Sequence, residues 1–380
     1  MDFTLSEEQQ MIQKTARDFA ESELAHDVVD RDEKGIFPEK AVKQLGKMGF
    51  LGMITPEEYG GAGFDMLSYV LALEEIARVD ASTCVIMSVT NSLCQYVITA
   101  FGTEEQKQKY LPPLASGEKL GAYALSEPQS GSDAANMKTI AEKKGDVYVL
   151  NGTKNWVTNG KSAGTYIVFA LTEKNVGHKG VSAFIVENDF DGLTTGKKED
   201  KLGIRSSDTC ELIFNDCEVP AENLLWEEGK GFRIALNTLD GGRIGIAAQA
   251  LGIGQAALDK SLAYAKEREQ FNRSISEFQA IQFKLAQMGT EIEAARMLTY
   301  KAAVKRDSKE KATKAAAMAK MYAGDTAMRA ANEAVQIHGG YGYITEYGVE
   351  RLMRDAKITQ IYEGTNEIQR AVIARELLKE

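Results

Sequence analysis

The chain has 380 residues, 44% of them hydrophobic and 26% charged, an ordinary globular composition with room for two or three domains. Its formal charge of −10 is spread over interspersed acids and bases, which argues against a polyanion-binding surface and against nucleic acid as a partner. No run of the sequence reads as a membrane span, and Met1-Asp2-Phe3-Thr4-Leu5-Ser6 lacks the basic and apolar regions of a signal peptide, so a cytoplasmic protein without membrane insertion is expected.

Residues 1 to about 120 carry helix signals. Ser6 with Gln9 forms a capping box before Ile12, Ala16 and Phe19. The turn from Pro56 to Gly63 interrupts the pattern, helix resumes from Leu67 to Ala77, and Pro112-Pro113 is expected to close the region. Between about 121 and 222 the period changes. Val147–Leu150, Tyr166–Phe169, Val181–Val186 and Glu211–Phe214 are short, β-branched and aromatic, with Asn151-Gly152, Asn159-Gly160 and Asp191-Gly192 read as turns. No long helical segment separates them, so an antiparallel β module is expected.

From about 230 onward helix signals dominate. Ile281, Leu285, Met288, Ile292 and Ala295 form one stripe, and Ala312 to Ala323 is rich in helix formers. The predicted domains are 1–120 helical, 121–228 β and 229–380 a helical bundle.

Near the C-terminus, Glu363 stands in Ile361-Tyr362-Glu363-Gly364-Thr365-Asn366-Glu367. The glycine permits a sharp, left-handed turn, Thr365 or Asn366 can cap a closing helix, and Glu367 falls in its first turn. Ile368, Val372, Ile373 and Leu377 are spaced for that helix's buried face. Glu363 therefore lies on a loop just outside a helix N-terminus, where a carboxylate can project into a cavity.

Four cysteines (84, 94, 210 and 217) and three histidines show no metal-ligand spacing, and none is expected to bind metal. No Gly-x-Gly-x-x-Gly lies between a strand and a helix, so a Rossmann site is not encoded, and Gly252 and Gly254 are read as helix-packing glycines. The loop from Tyr123 to Asp133 offers small hydroxyls, glycine and backbone N–H groups, suited to phosphates or heteroaromatic edges. Lys154 to Gly160 sets Trp156 and Thr158 on a strand ending in a turn.

Together these segments resemble the acyl-CoA dehydrogenase family, nearly end to end. The similarity runs through Glu57-Glu58-Tyr59-Gly60-Gly61, Leu125-Ser126-Glu127-Pro128 with Gly131-Ser132-Asp133, Trp156 to Gly160, Gly196 to Arg205, Gln336 to Tyr343 and Tyr362 to Thr365. The resemblance implies that family's fold, an N-terminal helical domain, a central antiparallel β-barrel or sandwich and a C-terminal four-helix bundle. It also implies FAD as cofactor and an acyl-CoA thioester as substrate. Tyr123, Leu125, Ser126, Gly131 and Ser132 would line the flavin, and Ser132 also the thioester. Trp156 and Thr158 would contact the isoalloxazine. Arg268, Gln270, Phe271, Gln279, Gln336 and Gly340 would reach the adenine and pyrophosphate half, partly from a neighbouring subunit. Thr365 and Glu367 would meet the nucleotide. Asp240 and Arg243 match positions that contact coenzyme A, and Tyr362 and Gly364 would flank the substrate.

By the same resemblance Glu363 would take the α-proton, with its own backbone N–H and a ribityl hydroxyl facing the thioester carbonyl. Burial beside an acyl chain should raise its pKa. Some relatives carry the base at the position of Gly242, and glutaryl-type relatives have an arginine where Cys84 stands, so neither variant fits. Ala81–Val89, Gly196–Arg205 and Leu239–Ala247 are most similar to short-chain (butyryl-CoA) dehydrogenases, implying a C4-like substrate in fatty acid β-oxidation. Electron-transferring flavoprotein would be the acceptor and a homotetramer the assembly. The alternatives are an acyl-CoA oxidase, a dehydrogenase of short branched acyl-CoA, and a repurposed non-enzymatic member.

Overall fold

A computed structural model describes residues 4–379. The N-terminal part is helical: α1 (Glu7–Phe19), α2 (Val28–Lys34), α3 (Glu39–Lys47), α4 (Met66–Val79), α5 (Ala81–Ser88), α6 (Tyr96–Phe101) and α7 (Glu104–Ala115). The capping box of α1 forms as its sequence specifies, with the Gln9 N–H donating to Ser6 Oγ at 3.1 Å. Pro112 and Pro113 lie in the last turn of α7, which ends at Ala115 and is the last helix before β1 (Leu120–Ala124), so the helical region closes there.

A first expectation needs correction. The helical stretch Ala81–Phe101 is 21 residues long with a mean hydropathy of 1.4, enough by length and composition to cross a membrane. It is 78% buried inside the protein, where it serves as a core helix. Its middle, Val89–Gln95, is π-helical, and this widened turn sets Leu93 against α8 (Gly231–Glu267) at Gly242.

The β strands are β1 (Leu120–Ala124), β2 (Ile140–Lys144), β3 (Val147–Thr158), β4 (Ala163–Leu171), β5 (Val181–Glu187), β6 (Leu193–Thr195), β7 (Thr209–Pro220) and β8 (Leu224–Leu225). They form one sheet in the order β6-β7-β3-β2-β4-β5-β8, with β1 added on β4. Most ladders are antiparallel, but β1 runs parallel to β4, and β2 meets β4 in parallel at Ile140. The β2–β3 hairpin inserted between β1 and β4 in the chain allows that parallel return. Asn151-Gly152 is not a turn. It is a register shift inside β3, where a Cβ on Gly152 would meet Thr139 Cα at 2.7 Å. The hairpin turn falls earlier, at Gly145 with φ 62°.

After the sheet come α8, the short ribbon β9 (Glu269–Gln270) and β10 (Arg273–Ser274), α9 (Gln279–Asp307), α10 (Thr313–His338), α11 (Val349–Thr359) and α12 (Asn366–Leu377). α8 is 37 residues long and buried all round from Asp240 to Gly254, because it packs on α4, α9, α10 and α11 together. Gly252 permits that approach: a Cβ there would stand 2.6 Å from Ala77 Cβ and 2.7 Å from the Arg78 nitrogen, both on α4. The face of α12 is not the aliphatic one expected. Val372 is buried together with Gln369 and Glu376, while Leu377 is 49% exposed. Gln369 reaches carbonyls of the preceding loop and Glu376 pairs with Lys311 and Lys379, so polar work turns that edge inward.

Candidate active site

The loop between α11 and α12 makes two consecutive left-handed residues, Glu363 at φ 52° and Gly364 at φ 90°. A side chain at positive φ is costly by about 1 kcal/mol or more, so the surroundings must hold it. They do so at both ends of the turn. Thr365 is the N-cap of α12, its Oγ1 accepting from the Ile368 N–H at 3.3 Å. The Gly364 carbonyl accepts from Gln369 Nε2 and from Lys320 Nζ, each at 2.8 Å.

This turn aims the Glu363 carboxylate at the middle of α8. A Cβ added to Gly242 would overlap Oε2, with Glu363 Cδ 2.9 Å away and Leu93 Cδ2 2.8 Å away. Oε2 is buried and, among the described residues, has no hydrogen-bond partner. Burial pushes the Glu363 carboxyl up to about 7, against the opposing pull of the Lys320 and Arg243 charges. Among the described residues, the backbone N–H of Glu363 also finds no acceptor. Glu363 thus carries both a desolvated carboxylate and, among the described residues, an N–H donor without an acceptor.

Aromatic side chains lie around Glu363. Tyr123 packs its ring on Phe169 at 5.1 Å, and its hydroxyl is buried without a partner. Tyr362 donates to Gln249 Oε1, and Gln249 Nε2 donates to the Ala81 carbonyl at 2.8 Å. Burial beside Glu363 pushes both phenols up. Arg243 is 5% exposed and donates to Asp240 Oδ1 at 3.0 Å, while Thr313 donates to Asp240 Oδ2 at 2.6 Å. The Arg243–Asp240 pair is therefore buried within electrostatic reach of Glu363, not on open surface.

Leu125 and Ser126 lie beside the end of β3. Lys154 Nζ donates to the Leu125 carbonyl at 3.1 Å and the Asn155 N–H to the Ser126 carbonyl at 2.9 Å. This brings Tyr123, Leu125 and Ser126 close to Trp156 and Thr158. Trp156, at φ 61°, is 63% exposed, so its indole is left bare. Gly131 and Ser132 are exposed on the loop that follows. Glu127 anchors this loop, accepting from Lys154 Nζ at 2.7 Å and from the Lys138 and Thr139 N–H groups.

Arg268, Gln270 and Phe271 gather at the β9–β10 ribbon, with Gln279 nearby at the start of α9. Arg268 lies over the Tyr341 ring at 5.5 Å, which joins the ribbon to the segment holding Gly340 and the end of α10 holding Gln336. Phe271 is 88% exposed. Among the described residues, no hydrogen bond or ring contact joins this group to Trp156 or Glu363, so the expected residues fall into two clusters. Glu367 is exposed at the α12 N-terminus.

Three family models match the chain in order: the acyl-CoA dehydrogenase N-terminal domain over residues 6–118, the middle domain over 122–217 and the C-terminal domain over 229–378. The chain belongs to the acyl-CoA dehydrogenase family. It is similar to the short-chain specific acyl-CoA dehydrogenase of Megasphaera elsdenii, 54% identical with all of both chains covered. The solved butyryl-CoA dehydrogenase from that organism superposes with a TM-score of 0.98 at 54% identity, again over all of both chains. A chain in a structure of the electron transferring flavoprotein of Acidaminococcus fermentans matches with a TM-score of 0.99 at 56% identity over all of both chains. An FAD complex of PigA shares 31% identity over 99% of each chain, with a TM-score of 0.96.

Within this acyl-CoA dehydrogenase fold, sequence reasoning missed Lys320, Gln369 and Gln249. Lys320 is fully buried on α10 between Ala316 and Ala323. A lone lysine in an alanine stripe was the available signal.

Proposed function

We propose that this chain catalyses the α,β-dehydrogenation of a short-chain, butyryl-CoA-like acyl-CoA thioester to the trans-2-enoyl-CoA, with Glu363 as the base. The observation that carries this reading is the Glu363 carboxylate, buried and unpaired over Gly242 on a strained turn. The residues present fit a flavin: the bare Trp156 indole offers a stacking face, and the unbonded Tyr123 hydroxyl offers a polar contact beside the base. Tyr123, Leu125, Ser126, Trp156 and Thr158 would hold the ring system, with Gly131 and Ser132 beside it. The second cluster, with Arg268, Gln270, Phe271, Gln279, Gln336 and Gly340, would take the adenine half, and Thr365 and Glu367 would lie near the nucleotide. When bound, FAD supplies the acceptor for the hydride from C3.

The protein's own part is proton chemistry and positioning. The ionised Glu363 carboxylate removes a proton from C2 of the thioester. Its backbone N–H, lacking a protein acceptor, is free to donate to the thioester oxygen as negative charge gathers there. Tyr362, Gly364 and Leu93 exclude water around the carboxylate, which strengthens both interactions. The Arg243–Asp240 pair would approach the coenzyme A portion. Electron-transferring flavoprotein is the acceptor in this reading, supported by the match at 56% identity. A cytoplasmic location and a homotetramer belong to the same reading.

The test is anaerobic addition of butyryl-CoA to the yellow protein. The wild type should bleach rapidly, and Glu363→Gln should bind flavin normally but bleach slower by orders of magnitude. An equally fast Glu363→Gln protein overturns the assignment of the base. Sustained peroxide formation in air without another acceptor marks an oxidase instead.

A further inference from the structure

The side chain nearest in kind to a counter-ion for the base is one that the reaction chemistry does not require. Lys320 reaches from the first third of α10 with no exposed surface. Its Nζ donates to the Gly364 carbonyl at 2.8 Å and to Asn366 Oδ1 at 3.1 Å. Asn366 is itself fixed, donating to Asp325 Oδ1 at 2.8 Å and to the Met321 carbonyl at 3.2 Å. Asp325 also accepts from Gln360 Nε2 at 2.7 Å, so α10 grips the loop both before and after Glu363.

A buried amine normally lies against a carboxylate. Among the described residues, none stands within ion-pair distance of Lys320, and its acceptors are neutral. The charges that face it are Glu363, Arg243, Asp325 and Glu367. Those that face Glu363 are Lys320 and Arg243, with the phenols of Tyr69, Tyr123 and Tyr362 around it. Arg243 already donates to Asp240, which leaves Lys320 as the cation committed to no carboxylate.

We propose that Lys320 is a positioning residue for the base: it clamps the Glu363 turn through the Gly364 carbonyl and sets a positive charge behind the carboxylate. The inference rests on the reading of Glu363 as the proton acceptor. Two effects follow from one amine. The hydrogen bond holds the left-handed turn that aims the carboxylate at Gly242. The charge favours the ionised form of Glu363 in a place where burial opposes it; burial drives the amine itself down to about 7.

The decisive comparison is Lys320→Met, Lys320→Arg and wild type, each as flavin-loaded enzyme. Two quantities are read: the pH dependence of kcat with butyryl-CoA, and an infrared titration of the Glu363 carboxyl, its band assigned by loss in Glu363→Gln. In Lys320→Met both midpoints should move up by about 1–2 pH units. Below the wild-type midpoint kcat should fall about 10–100-fold, with KM changed little. Lys320→Arg should stay close to wild type. If Lys320→Met loses the same factor of activity at every pH and the carboxyl midpoint stays put, the amine is only a structural tie and the proposal is wrong. Should Lys320→Met fail to fold, Glu363→Gln supplies the reciprocal measurement. The Lys320 amine, followed by nitrogen NMR, should then titrate lower than in wild type, and an unmoved titration overturns the proposal. A fully active Glu363→Gln would instead refute the base itself, whatever Lys320 does.

Discussion

Glu363 and Gly242 compete for one volume: the carboxylate from the α11–α12 loop occupies the space that any side chain at the α8 position would need. Gly242→Ala should therefore push the carboxylate aside. With reacting groups displaced by an ångström or so, kcat should drop about 100-fold. The atoms met are the ends of the Glu363 and Leu93 side chains, which can rotate away, so thermal stability should change little. Stopped-flow bleaching beside a thermal melt checks both halves of this statement.

The Glu363 carboxyl is raised from 4.5 to about 7, and the sign of the consequence follows from its proposed role as base. A base must be deprotonated, so kcat/KM should fall about tenfold per pH unit below 7 and level off above it. For folding, the raised value means that the protonated form is favoured. That contribution is present below the unfolded value and is lost as pH rises through 7. A pH–rate profile with no acid limb near 7 contradicts this.

Tyr362→Phe removes the donor to Gln249 Oε1, leaving a fully buried amide oxygen unsatisfied. The cost should be about 1–3 kcal/mol in denaturant unfolding. The double variant with Gln249→Leu should recover part of it, since both partners are then apolar.

Glu127→Gln breaks a buried ion pair whose lysine has no exposed surface. Stability at neutral pH should fall by about 3 kcal/mol, because Lys154 is left without its counter-charge. Lys154 and the neighbouring N–H groups hold Glu127 down to about 2, so its contribution is present above the unfolded value. It is lost as pH falls through 2, and the gap between variant and wild type should close on acidification. Unfolding at two pH values measures it, with flavin content showing whether the 125–139 loop has loosened.

Much of this architecture was legible from local signals. Ser6 and Gln9 announce α1, the β-branched runs announce β3, β4, β5 and β7, and Thr365 after Gly364 announces the turn that carries Glu363. What escaped depends on contacts distant in sequence. The parallel pairing of β1 with β4 is set by where the β2–β3 hairpin inserts, and Asn151-Gly152 has the composition of a turn but the surroundings of a close strand crossing. Likewise Lys320 and Gln369 read as ordinary polar positions until the fold brings a backbone carbonyl to them. The inward edge of α12 was misjudged for the same reason: hydropathy does not record a glutamine employed as a hook.

The Gly364 carbonyl receives both Lys320 and Gln369, and a main-chain oxygen has consequences of its own. No substitution at residue 364 can delete that acceptor, since every amino acid carries it. The oxygen can instead be lost to its partners: removing a donor acts 44 positions upstream or 5 downstream in sequence, while a side chain at 364 would press on Gln369 Nε2 at 2.6 Å.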